Sequence, residues 1–192
     1  AQKGSSLMRI IAGHFRGKKL IAPDGWDTRP TSDRAREGVF NLVAHRYRDA
    51  GWSLEGATVL DVFAGTGAMG LEAFSRGAAH VVFFETGRSA LEALRDNVRG
   101  LKADAQTRII TASALSPPSG GEAATIAFFD APYGQNLTGP ALTAMAERGW
   151  LAKGGLCVAE MAEDDPFTTP DGFAPLEERR YGKARFVFLR RG

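Results

Sequence analysis

The stretch from Thr58 to Gly77 constrains this chain more than any other. An apolar run dense in β-formers, Thr58 to Phe63, feeds a turn at Ala64-Gly65-Thr66-Gly67. A helix-compatible run with Ala68, Leu71, Glu72, Ala73 and Ser75 follows, until Gly77 stops it. Strand, glycine turn and helix in that order make the first βα unit of a doubly wound sheet. Gly65 and Gly67 let the backbone bend sharply and let a ligand approach with no Cβ in the way. The free N–H groups that open the helix then face that ligand.

The rest of the chain extends the alternation. A second strand, Ala79 to Phe84, ends at Glu85. A helix from about Ser89 to Leu101 turns Leu91, Leu94 and Val98 inward. Arg108 to Thr111 and Thr125 to Asp130 read as the third and fourth strands, separated by the Pro/Ser/Gly loop Ser116 to Gly121. Thr138 to Gly149 reads as a helix. Leu156 to Met161 is a fifth strand, ending near Glu160. After the loop Pro166 to Gly172, two strands, Leu176 to Tyr181 and Ala184 to Leu189, form a hairpin around Gly182-Lys183. The pattern predicts an α/β protein: a doubly wound, mostly parallel seven-stranded sheet with a C-terminal antiparallel hairpin.

Upstream, Met8 to Ala22 mixes apolar and basic residues around Gly13 and Gly17 and reads as a small basic β-hairpin. Pro23 to Pro30 reads as a loop. Thr31-Ser32-Asp33 offers an N-cap to a helix from Arg34 to Arg48, with Ala35, Val39, Leu42, Val43 and Tyr47 on one face. Arg34 and Arg36 oppose the helix dipole, which hints at a role beyond helix stability. Residues 1–7 read as a tag remnant or frayed end. Residues 8–52 then form an N-terminal extension to a main domain at 53–192.

A chain of 192 residues can build a real core. No apolar run approaches the length of a membrane span, so no membrane partner is expected. The single cysteine, Cys157, excludes an intrachain disulfide, fits a reducing cytoplasm, and reads as a buried thiol within Leu156 to Met161. His14, His45 and His80 lack ligand spacing, so no metal is expected. The net charge is only +2, but it is unevenly spread. Met8 to Arg48 holds nine basic against four acidic residues, and Glu177 to Gly192 holds six against two. Two basic ends around an acidic middle suit a polyphosphate partner such as a nucleic acid.

Gly65, Gly67 and Gly70 also fit the dinucleotide pattern G-x-G-x-x-G. Asp61, four residues before the first glycine, disfavours a pyrophosphate there and suits a ligand with an ammonium or sulfonium group. Ligands of open α/β sheets bind beyond the carboxyl ends of the strands. Asp61, Glu85, Ser113 and Asp130 all fall at or near such ends. Glu85 is placed to accept both hydroxyls of a ribose. Asp130 opens the turn Asp130-Ala131-Pro132-Tyr133, an acid leading into a rigid, aromatic-bearing loop.

These two motifs resemble the S-adenosylmethionine-dependent methyltransferases, with a first loop D-x-F-A-G-T-G and, in the amino-methylating branch, D/N-P-P-Y after the fourth strand. The resemblance implies S-adenosylmethionine as cofactor. It assigns Asp61, Phe63, Ala64, Gly65 and Gly67 to the methionine end and Glu85 to the ribose. Ser113 and Ala114 stand where an adenine contact is usual. It also implies that Asp130 and the carbonyl of Ala131 accept the two N–H bonds of a substrate amine. Pro132 would stiffen the turn, and Tyr133 would stack on the base. Alanine at 131 departs from the usual proline but keeps the carbonyl.

Three further segments, MRIIAGHFRGKKL from Met8, TRPTSDRAREGVFNLV from Thr28 and RRYGKARF from Arg179, narrow the resemblance. Together they look like the bacterial 16S ribosomal RNA guanine-N2 methyltransferases. The implied substrate is one guanine of 16S rRNA on an assembling small subunit, acted on by a cytoplasmic monomer. Arg9, Arg16, Lys18, Lys19, Arg29, Thr31, Arg34, Arg36 and Lys183 are the expected RNA contacts. Three alternatives stand beside this reading: an N6-adenine DNA methyltransferase, an NAD-dependent oxidoreductase, and a non-catalytic RNA-binding assembly factor.

Overall fold

The computed structural model describes residues 8–23 and 33–192. The elements are α1 (Asp33–Leu42), β1 (Thr58–Val62), α2 (Ala68–Ser75), β2 (His80–Phe84), α3 (Arg88–Gly100), β3 (Thr107–Ile110), β4 (Ala124–Asp130), α4 (Thr138–Glu147), β5 (Leu151–Ala162), β6 (Phe173–Tyr181) and β7 (Ala184–Arg191). One seven-stranded sheet runs in the order β3-β2-β1-β4-β5-β7-β6. β1 to β5 are parallel, while β7 runs antiparallel to both β5 and β6. The expected fold class is the observed one.

The strands explain this arrangement. Every residue of β1 is buried, as a parallel strand covered on both faces requires. Alternate side chains feed two cores. Val59, Phe83, Phe128 and Phe186 pack beneath α1, α2 and α3. Leu60, Phe84, Phe129 and Leu189 pack with Leu142 and Met145 of α4 and with Trp150 on the other face. α3 carries its inward residues at the expected spacing: Leu91, Leu94 and Val98 are all buried. Cys157 is buried, and burial pushes its thiol up to about 12, which makes it a core residue rather than a nucleophile.

Three elements depart from expectation. The single helix read from Arg34 to Arg48 is α1 followed by a π-helical turn, Val43–Tyr47. That turn accompanies a tertiary demand: the Tyr47 ring stacks on Phe188 at 5.1 Å while its hydroxyl donates to Glu177. β5 is longer than read, reaching back to Leu151, because a register shift between Ala124 and Ile126 lets it start early. The basic hairpin of Met8 to Ala22 is closed by one bridge, Arg9 with Lys19, rather than by two full strands. The proposed cap residues Thr31 and Ser32 and the terminus at 1–7 lie outside the described residues.

The hairpin is not a loosely attached module. Ile10 and Leu20 are buried in the main core. Glu72 of α2, fully buried, accepts the N–H groups of Ile11 and Ala12 at 2.8 and 3.1 Å and pairs with Arg76 at 2.9 Å. Ser75 donates to the Ala12 carbonyl, and Asn97 of α3 bonds both the N–H and the C=O of Ile21. These buried polar groups satisfy hairpin backbone that would otherwise lose its hydrogen bonds to water.

Candidate active site

The carboxyl ends of β1, β2, β4 and β5 surround one cavity of about 400 Å³, within the usual range for a small-molecule site. The turn after β1 forms its floor. Phe63 sits at φ 59°, Gly65 at φ 57° and Gly67 at φ 83°. Positive φ on a bulky residue such as Phe63 is strained, and strain of this kind gathers at functional loops. The turn is held by Ala64 N–H donating to the Phe84 carbonyl at 2.9 Å and by Gly67 N–H donating to the Ala64 carbonyl at 2.8 Å. Phe63, Ala64 and Gly65 line the cavity. Gly67 instead serves packing: a Cβ there would meet Leu94 at 2.4 Å.

Asp61 is the next-to-last residue of β1 and is 2 % exposed. Its carboxylate accepts the Gly70 N–H, in the first turn of α2, at 2.8 Å. Burial pushes its pKa up to about 8, opposed by that hydrogen bond and aided by the charge of Glu85. An acid that already uses an N–H of the first helical turn leaves poor provision for a pyrophosphate. The dinucleotide reading of Gly65, Gly67 and Gly70 is thereby disfavoured.

Glu85, just past β2, accepts from Gly65 N–H and Gly87 N–H, both at 3.3 Å. Burial raises its pKa as well. Those two bonds aim a carboxylate along the cavity wall. Ser113 and Leu115 continue that wall beyond β3, whereas Ala114 between them is buried and does not reach it.

Across the cavity, Asp130 ends β4 and Pro132 follows. Ala131 is buried and lines a neighbouring cavity of about 240 Å³ that shares Pro132 and Leu137 with the first. The Tyr133 hydroxyl donates to Glu160 Oε1 at 3.0 Å. Glu160 is 4 % exposed and stands directly beside Asp130 in the parallel ladder. The sequence reading gave Glu160 no role. The only signal was its place at the end of a strand, and which acid it would meet depends on register.

The residues read as RNA contacts divide. Arg9, Arg16, Lys18, Lys19, Arg34 and Lys183 are exposed. Arg29 and Thr31 lie outside the described residues. Arg36 is not on the outer surface: it is 3 % exposed, lines the cavity, donates to the Arg9 carbonyl and pairs with Asp33. Helix rotation buries it: Arg36 shares the inward face with Val39, Phe40 and Val43 at i, i+3, i+4 and i+7, a spacing already present in the sequence. Arg36 and Met8, which also lines the cavity, were both missed as cavity residues. Among the described residues no group of three or more His, Cys, Asp or Glu could hold a metal, and no helix is long and apolar enough to cross a membrane.

A family model described as "Conserved hypothetical protein 95" matches residues 8–190. The chain belongs to this family. It is 35% identical over 190 residues to the ribosomal RNA small subunit methyltransferase D of Escherichia coli K12, across 98% of this chain and 92% of that one. It is 33% identical over 179 residues to the protein of the same name from Haemophilus influenzae, across 91% and 89%. The solved Escherichia coli protein described as "Putative methyltransferase yhhF" superposes with a TM-score of 0.81 at 35% identity, covering 96% of this chain and 97% of that one. The family matched at the level of the whole chain is thus a methyltransferase family with a Rossmann-like fold, and the hairpin from Met8 is part of it.

Proposed function

We propose that the protein transfers a methyl group from S-adenosylmethionine to the exocyclic N2 of a guanine in small-subunit ribosomal RNA. One observation carries the reading: Asp61 and Glu85, suited to a cationic nucleoside, share a single cavity with Asp130, suited to an amine. The donor set fits the cofactor. Glu85 offers acceptors to a ribose diol. Asp61, buried and hydrogen-bonded, gains from a cationic group beside it. The acid-rich lining suits neither a pyrophosphate nor a free polyphosphate. When bound, the cofactor supplies a methyl group already activated on a sulfonium.

The chain's own residues then need only to position the acceptor. The lone pair of an exocyclic guanine amine is delocalised into the ring, so it is a poor nucleophile. Asp130 and the Ala131 carbonyl accept its two N–H bonds and turn the lone pair toward the methyl group. Asp130 takes the proton that the nitrogen gives up as the N–C bond forms. Tyr133, with its hydroxyl held by Glu160, presents a fixed ring for the base to stack on. Most of the rate enhancement comes from this alignment. The names of the relatives support ribosomal RNA as substrate class, and the exposed cations around the hairpin support a phosphate backbone as the docking partner.

The test is methyl transfer from radiolabelled S-adenosylmethionine to small subunits, to naked 16S rRNA and to DNA, all from a strain lacking the activity. Label in N2-methylguanine is the expected result. Label in DNA adenine, or binding of RNA with no transfer to any substrate, would overturn it.

A further inference from the structure

Glu160 is absent from the reaction as derived above except as a partner of Tyr133, yet its position exceeds that role. It is the register partner of Asp130 on the adjacent parallel strand, so the two side chains emerge side by side, roughly 4.8 Å apart in strand spacing. Both line the cavity. Glu160 is a buried carboxylate at the sheet's carboxyl edge with Tyr133 bonded to Oε1.

The base edge such a pair selects follows from chemistry. Guanine presents adjacent donors, N1–H beside the N2 amine. Adenine presents an amine donor beside the bare N1 lone pair. Two neighbouring carboxylates match donor next to donor, and they oppose donor next to acceptor.

We propose that Glu160 is the specificity-determining residue of the site, accepting the N1–H of the target guanine while Asp130 holds the N2 amine. This rests on the guanine reading above and deepens it. It also gives a physical reason for excluding adenine: the N1 lone pair would face a buried carboxylate, and a site built around a polar contact rejects an analogue lacking it far more strongly than an apolar pocket can. The Tyr133 hydroxyl fixes the carboxylate in place, so the group is oriented before the base arrives.

The experiment uses 16S rRNA assembled by ligation, with guanine or 2-aminopurine at the mapped target. 2-Aminopurine keeps the amine at C2 but has no proton on N1. The wild-type enzyme should methylate the 2-aminopurine RNA about 10- to 100-fold more slowly, the range expected for a hydrogen bond to a charged acceptor. Glu160→Gln, whose carboxamide can donate to the bare N1, should narrow that ratio by about tenfold. The missing O6 affects both enzymes alike and cancels in the comparison. Equal wild-type rates on the two RNAs would overturn the proposal without any variant. So would a Glu160→Gln enzyme that slows both RNAs by the same factor, which would leave Glu160 only as a support for Tyr133. Absence of N2-methylguanine on the guanine-bearing RNA would instead defeat the functional reading on which the proposal stands.

Discussion

Asp61 shows how much a single buried acid can report. Its pKa of about 8 in the folded chain stands against an ordinary 3.8. Between those values the unfolded chain has released this proton and the folded chain has kept it. Stability therefore falls as pH rises from about 4 to 8, by at most about 1.4 kcal/mol per unit from this group. Asp61→Asn should flatten that dependence in urea melts taken across the range. A cation beside Asp61 reverses the preference, because it favours the ionised form. Binding of S-adenosylmethionine near pH 7 should thus release a proton, and its affinity should rise with pH toward 8. Calorimetry in buffers of different ionisation heat checks this, and a release that survives Asp61→Asn would remove Asp61 as its source. At Asp130 the effect belongs to rate rather than binding. Asp130→Ala should lower kcat by about 100-fold or more while leaving the Kd for S-adenosylhomocysteine unchanged. Full activity in that variant would exclude Asp130 from the chemistry.

At the scale of elements, the decisive contacts are those that seat the hairpin and the glycine turn. Glu72 is fully buried, bonded to two hairpin N–H groups and paired with Arg76. Removing it leaves those donors and a nearly buried cation without a partner. Glu72→Ala should cost about 3 kcal/mol, with faster amide exchange at Ile11 and Ala12 in particular. Loss of stability with unchanged exchange there would mean that Ile10, Leu20, Ser75 and Asn97 hold the hairpin without Glu72. The glycine turn is equally specific. Gly67→Ala combines a φ of +83° with a Cβ 2.4 Å from the Leu94 side chain. It should destabilise by about 1–3 kcal/mol and shift α2 away from the cavity, weakening S-adenosylmethionine binding. Both effects were only half legible. The turn residues announce themselves in sequence, since few chains write Gly-x-Gly between strand and helix without needing it. The partner of Gly67, Leu94, is 27 residues away and becomes a neighbour only through the βα crossover.

Across the whole molecule, exposed cations stand on the N-terminal hairpin and on the turn between β6 and β7. Lys18, Lys19, Arg9 and Arg16 project from the hairpin whose first described residue, Met8, lines the cavity. Lys183 sits in the turn between β6 and β7, where its carbonyl accepts the Glu163 N–H just beyond β5. Replacing Lys18 and Lys19 together by alanine should lower the slope of log K against log salt for 16S rRNA by about 1 to 2, with S-adenosylmethionine binding unaffected. An unchanged slope would take the hairpin out of RNA binding.

The sequence by itself determined the alternation of strand and helix, the glycine turn, the acids at strand ends and the basic bias of the two ends. Hydrophobic period, turn chemistry and charge are local properties, written within a few residues of where they act. Only the tertiary structure decided that Ala114 misses the cavity wall, that Glu72, Ser75 and Asn97 hold the hairpin, and that Glu160 stands beside Asp130. Each of those depends on the rotation of a helix about its axis or on the register of one strand against its neighbour. Rotation and register are chosen by how the entire core packs, which no short stretch of the chain encodes.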